Sequence, residues 1–140
     1  MLSPTIYRDL VLPSEKEWGE YTGGINYFHS CNNLTPLFKD IDTIDDLRMV
    51  HVSPWSDAKT AMRDLSIDKA VQVCSHPVKD NFCTQDVSDM RKYLTEIKEI
   101  FSGRPMCLEA YASQASFTPQ HVENIKIYVE QANDILLDRR

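Results

Sequence analysis

The sequence predicts an α/β fold in which parallel strands are joined by helical crossovers. Branched, apolar runs of strand length recur at 25–29, 48–52, 69–74 and 105–111. Between them lie stretches with helical apolar spacing, and Pro, Gly and Ser mark most boundaries. Strands that alternate with helices of this length are read as parallel, because a helical crossover returns the chain to the same end of the sheet.

From Ser3 to about Tyr21, Ile6, Leu10, Val11 and Trp18 recur at near-helical spacing, with an interruption at Pro13 and a stop at Gly23-Gly24. Ile25 to His29 is the first strand, and Leu34 to Ile41 a short helix around Pro36, with a turn at Ile44 to Leu47. Arg48 to Val52 is the second strand, ended by Ser53-Pro54. Ser56 or Asp57 can cap the next helix, whose apolar face is Ala58, Ala61, Met62 and Leu65.

Lys69 to Cys74 is the third strand, broken at His76-Pro77. Thr84 to Phe101 follows as a helix with Val87, Met90, Tyr93, Leu94, Ile97 and Ile100 inward, closed by Ser102-Gly103. Pro105 to Tyr111 is the fourth strand. Thr118-Pro119 opens a last helix with Val122, Ile125, Val129, Ala132 and Leu136 on one face. Four such strand and helix units make either half of an eightfold barrel or a small open sheet.

A chain of 140 residues is one domain's worth, so residues 1–140 are read as a single domain. With 21 acidic against 15 basic residues the net charge is −6 and no basic cluster stands out, which argues against nucleic acid as a partner. The longest apolar runs fall far short of the roughly 20 residues that span a bilayer, and Met1-Leu2-Ser3-Pro4 has no leader pattern. A cytoplasmic protein without membrane contact is the expectation. Cys31, Cys74, Cys83 and Cys107 lie far apart and read as reduced thiols available for packing, metal or chemistry.

The chemistry-bearing motif is the end of the first strand, Tyr27-Phe28-His29-Ser30-Cys31-Asn32-Asn33. Strand side chains alternate faces, so His29 and Cys31 project the same way, and imidazole with thiolate suits zinc. A plain histidine beside a small thiol is the competing reading of the same pattern. No glycine-rich phosphate loop and no serine nucleophile motif occurs, which leaves kinase and hydrolase readings without support.

The run Tyr27-Phe28-His29-Ser30-Cys31-Asn32-Asn33-Leu34-Thr35-Pro36, followed by Val50-His51-Val52-Ser53-Pro54-Trp55-Ser56-Asp57, resembles the uroporphyrinogen decarboxylase superfamily. Within it, the decarboxylase-like, corrinoid-linked methyltransferases are the nearer likeness, with an H-x-C-G-N-x-x-P pattern and then V-S-P-W-[ST]-D. Leu2 to Tyr7, Val11-Leu12-Pro13 and the Thr118-Pro119 helix are similar to neighbouring segments of that family. The resemblance implies the last two-fifths or so of a (β/α)₈ barrel, with strands equivalent to five to eight.

The resemblance also implies a zinc site that activates a thiol to take a methyl group from a corrinoid protein. His29 and Cys31 match its first two ligands, and Cys107 stands at about the family's distance for the third, with Cys74 and His76 as alternatives. Asn32 stands where the family has glycine. Trp55 and Tyr111 are the candidate cofactor-facing residues for a corrinoid or tetrapyrrole surface; Trp55 in such a position also packs over helix ends. Tyr111, Glu109 and Cys107 share one face of the last strand, and Asp57 is a helix cap or a polar group at the strand ends.

A half barrel implies a partner that closes it: a second copy in a homodimer, or a separate N-terminal half. The function expected is therefore zinc-dependent methyl transfer from a methylcorrinoid to a thiol. A catalytically silent assembly domain is the alternative, and uroporphyrinogen decarboxylation a further one.

Overall fold

A computed structural model describes residues 3–111 and 116–137; Met1 and Leu2 of the opening motif lie outside them. The chain has a mixed α/β architecture with a three-stranded parallel sheet and flanking helices, compatible with part of a barrel. It divides into two compact units. One runs up to Val73 and includes Gly103–Leu108; the other comprises Cys74–Ser102 and the segment from Glu109 onward.

The first unit opens with α1 (Pro4–Ile6), capped by the Ser3 hydroxyl, which accepts from the Ile6 N–H at 3.2 Å. A π-turn at Tyr7–Val11 separates it from α2 (Leu12–Thr22). Pro13 has no N–H to offer the Asp9 carbonyl, and in a regular helix its ring would crowd that oxygen. The chain widens instead, and the Leu12 N–H reaches back five residues to the Tyr7 carbonyl. The expected interruption thus falls one turn upstream of the proline that causes it. Gly23, at φ 76°, ends α2 in the left-handed region, and the Gly24 N–H closes on the Gly19 carbonyl at 2.8 Å.

The expected strand at 25–29 is present as two parallel bridges, Ile25 with Leu47 and Phe28 with Val50. A 3₁₀ turn (Thr35–Leu37) and α3 (Phe38–Ile41) follow, then β1 (Met49–Val52) and α4 (Ala58–Asp64). Asp57 caps α4, accepting from the Thr60 N–H at 2.7 Å. β2 (Ala70–Cys74) pairs with β1 in parallel register, Val50 opposite Val71 and His51 opposite Gln72. β3 (Met106–Glu109) lies on the far side of β2, and the Val71 N–H donates to the Pro105 carbonyl at 3.0 Å. The core of this unit includes Phe38, Ile41, Ile44, Val50 and Val71. Arg104 donates to the carbonyls of Leu65, Ser66 and Lys69 at 2.6 to 2.8 Å, tying down the turn between α4 and β2.

The second unit contains α5 (Val87–Ile100) and α6 (Pro119–Leu136). α5 starts three residues later than the apolar spacing suggests, because Asn81 organises a turn that takes the N–H groups of Cys83, Thr84 and Gln85. Met90, Leu94 and Ile97 are buried as expected, whereas Val87 is exposed. α6 begins with a reciprocal cap between Thr118 and His121. Its expected inward face is rotated: Val122 and Val129 are exposed and Tyr128 is buried. The Tyr128 ring stacks on Phe82 at 4.5 Å, and burial of that large aromatic decides which side of the helix turns inward. Among the described residues no helix is long and apolar enough to cross a membrane.

Candidate metal centre

The Ile25–Phe28 segment is bound edge-on to β1. The Phe28 N–H donates to the Met49 carbonyl and the His51 N–H to the Phe28 carbonyl, each at 2.9 Å. This fixes the strand phase, so Tyr27, His29 and Cys31 stand on one side. The Tyr27 hydroxyl donates to Oε1 of Gln72 on β2. Nδ1 of His29 lies 3.1 Å from the same hydroxyl. With its one proton spent on Gln72, the Tyr27 oxygen accepts, so His29 carries its proton on Nδ1. Nε2 then presents a lone pair, and Cys31 Sγ lies 3.3 Å from it.

Zinc bound by imidazole at about 2.1 Å and thiolate at about 2.3 Å in a tetrahedron places nitrogen and sulfur roughly 3.6 Å apart. The His29–Cys31 separation is close to that. A ligating histidine also needs an acceptor for its other N–H, which the Tyr27 oxygen supplies. An imidazole and a thiol so placed are two of the donors that a tetrahedral zinc site takes.

The loop that carries Cys31 is held by β1 and the segment after it. His51 is 3 % exposed and its ring stacks on His29, with centroids 4.3 Å apart and planes 14° from parallel. Nδ1 of His51 lies 2.8 Å from the Ser30 carbonyl, which only accepts, so the imidazole donates. The Ser53 hydroxyl donates to the Asn32 carbonyl at 2.6 Å, and the Leu34 N–H donates to the Ser56 hydroxyl at 2.8 Å. The Asp57 N–H donates to the Thr35 hydroxyl at 2.8 Å. The serines and the aspartate of the Ser53-Pro54-Trp55-Ser56-Asp57 motif thus brace the ligand loop. Asp57 is the helix cap, and the hydroxyl and N–H of Thr60 hold its carboxyl below the usual range. Asp46, not Asn32, is the non-glycine residue at positive φ among the described residues, so the turn after Cys31 does not require glycine.

The other sequence candidates are placed as follows. Trp55 is 52 % exposed at the start of the α4 turn. Cys107 is exposed on β3. Among the described residues, no third His, Cys, Asp or Glu of this unit joins His29 and Cys31 with donor atoms all within 4.8 Å of one another. In the second unit, Cys74 is buried at the end of β2, and its sulfur and a Glu109 carboxylate oxygen lie within 4.8 Å. Nδ1 of His76 accepts from the N–H groups of Val78 and Lys79, both at 3.2 Å, which puts its proton on Nε2 and commits the ring to the turn. The Tyr111 N–H donates to the Ser75 hydroxyl at 3.0 Å, and its ring is partly exposed.

Tyr27, Gln72 and His51 were not legible as site residues. Each sits in an apolar strand pattern where a polar side chain carries no spacing signal, and the contacts arise only when the strands are set side by side. No family model, no curated protein and no solved structure matches the chain.

Proposed function

We propose that His29 and Cys31 hold a zinc ion, and that the chain is the C-terminal half of a uroporphyrinogen-decarboxylase-like barrel serving methyl transfer to a thiol. The observation that carries this is the 3.3 Å approach of His29 Nε2 to Cys31 Sγ, with the imidazole proton already placed on Nδ1 by Tyr27. Zinc bound there would lower the pKa of a substrate thiol, giving the thiolate that accepts a methyl group from a methylated corrinoid. Tyr27 and Gln72 keep the lone pair of His29 directed at the site. His51, through the Ser30 carbonyl, keeps Cys31 in reach. Trp55 offers an exposed ring to a corrinoid carried by a partner protein. The reading places the protein in the cytoplasm, where its thiols stay reduced.

Metal analysis of purified protein tests it. Zinc near one per chain, lost in His29→Ala and in Cys31→Ser, is the expected result. Folded protein that takes up no zinc overturns it.

An assembly role is favoured by a separate observation. The parallel sheet runs from the Ile25–Phe28 bridges to β3 and closes on neither side among the described residues, leaving edge groups that a second copy or a separate barrel half would pair. Light scattering that finds a dimer supports this, and a monodisperse monomer counts against the homodimer.

A further inference from the structure

α2 packs through Leu12 and Gly19, both buried, and a β-carbon on Gly19 would lie 3.5 Å from the Ile25 side chain. At about 100° per residue, Ser14, Glu17, Trp18 and Tyr21 lie on the side of the helix away from that contact. Leu10, one turn before Ser14, is 71 % exposed, Trp18 61 % and Tyr21 83 %. The Trp18 and Tyr21 rings lie side by side with centroids 5.9 Å apart, and with Ser14 and Glu17 they line a groove of about 310 Å³. A single exposed apolar side chain is ordinary, but three large ones in a row at helical spacing form a patch that calls for a partner. Ser14, the small residue of the row, leaves the depth that a large side chain of another helix needs.

The charges beside this row have one sign. Between Asp9 and Thr22 the sequence sets Asp9, Glu15, Glu17 and Glu20 against Lys16 alone, and Glu17 and Glu20 are exposed. We infer that this face of α2 docks an amphipathic helix of another protein, its apolar side chains seated among Leu10, Trp18 and Tyr21 and its Lys or Arg beside Glu17 and Glu20. A second copy of this chain is the wrong occupant: its α2 would set Glu17 against a like charge, and α5 and α6 each carry at least as many acidic as basic residues. The same carboxylates repel an anionic lipid surface. The docking face is independent of the metal reading.

Fluorescence anisotropy of a labelled peptide tests this on the full chain. The probe is a synthetic amphipathic helix of about 18 residues, with leucine at every third or fourth position and lysine between. The comparators are a peptide of the same composition in scrambled order and one with glutamate in place of lysine. The lysine helix is expected to bind about tenfold tighter than either. Trp18→Ala is expected to weaken it by about tenfold, and Glu17→Gln with Glu20→Gln to weaken it several-fold and to reduce its salt dependence. All three substituted side chains are exposed, so urea unfolding is expected to match the parent and loss of binding is not loss of fold. Equal binding of either comparator overturns the inference, as does a Trp18→Ala protein that binds the lysine helix as the parent does. A homodimer that dissociates in Trp18→Ala also overturns it, because a second copy would then cover the face.

Discussion

His29 receives its orientation from Tyr27, two residues earlier on the same side of the strand: the phenol oxygen lies 3.1 Å from Nδ1 and hands its own proton to Gln72. The relay gives the first test of the metal centre. Tyr27→Phe removes the acceptor for the Nδ1 proton, and Gln72→Leu frees the Tyr27 proton to compete for Nδ1. Both are expected to lower zinc affinity by about 10- to 100-fold, as loss of a partner that orients a ligand does. Gln72→Glu keeps an acceptor for the phenol and is expected to restore most of that affinity. Competition with a chromophoric chelator measures all three, and equal affinities across the series would remove the relay from the site.

Gly24 is the second. It lies at φ 116°, and a β-carbon there would stand 3.0 Å from both Cβ and the carbonyl oxygen of Asp46. Asp46 is itself at φ 53° and its carbonyl accepts from the Ile25 N–H, so neither side of this contact yields easily. Gly24→Ala is expected to cost about 1–3 kcal/mol in denaturant unfolding and to loosen the segment that leads to His29. Gly23→Ala meets no atom within 4 Å and carries only the cost of its own φ of 76°. The larger loss therefore belongs to Gly24, and the reverse order would contradict this geometry.

Much of the architecture was legible because its signals are local. The glycine stop after Thr22, the Asp57 cap, the strands at Met49–Val52 and Ala70–Cys74, and the Thr118-Pro119 helix start each depend on residues within a few positions. What was not legible depends on partners distant in sequence. The rotation of α6 follows from Tyr128 meeting Phe82, and nothing in the spacing of Val122 and Val129 reports that contact. The site divides in the same way: the period-two spacing of His29 and Cys31 is visible in the strand, whereas Gln72 is 45 residues from Tyr27.

Asp42 sets a pH dependence. Burial raises its pKa, but the hydroxyl and N–H of Ser66, at 2.6 and 2.7 Å, and the Lys69 ammonium at 3.2 Å outweigh that and hold it below the usual carboxylate value. A carboxyl with a depressed folded-state pKa stabilises the fold above its unfolded-state pKa of about 4, and that contribution is lost as pH falls through the lower, folded-state value. Asp42→Asn is expected to be less stable at neutral pH and to lose less stability than the parent on acidification. Urea unfolding at pH 7 and at about pH 3 measures the difference. Parallel pH profiles for the two proteins would show that Asp42 contributes no such linkage.

The four cysteines provide the last prediction, because their surroundings differ. Cys74 and Cys83 are buried, and burial pushes the Cys83 thiol up in pKa, which disfavours the reactive thiolate. Cys31 and Cys107 are exposed, and the Cys31 sulfur lies 3.3 Å from Nε2 of His29. Iodoacetamide is therefore expected to alkylate Cys31 first, Cys107 next, and Cys74 and Cys83 only on unfolding, with peptide mass mapping as the readout. His29→Ala should slow Cys31 toward the rate of Cys107 without changing the buried pair. Zinc bound by His29 and Cys31 would protect Cys31 and leave Cys107 reactive. Zinc protection of Cys107 as well would bring that cysteine into the ligand set, and Cys31 labelling that zinc leaves unaltered would exclude its thiolate from metal binding.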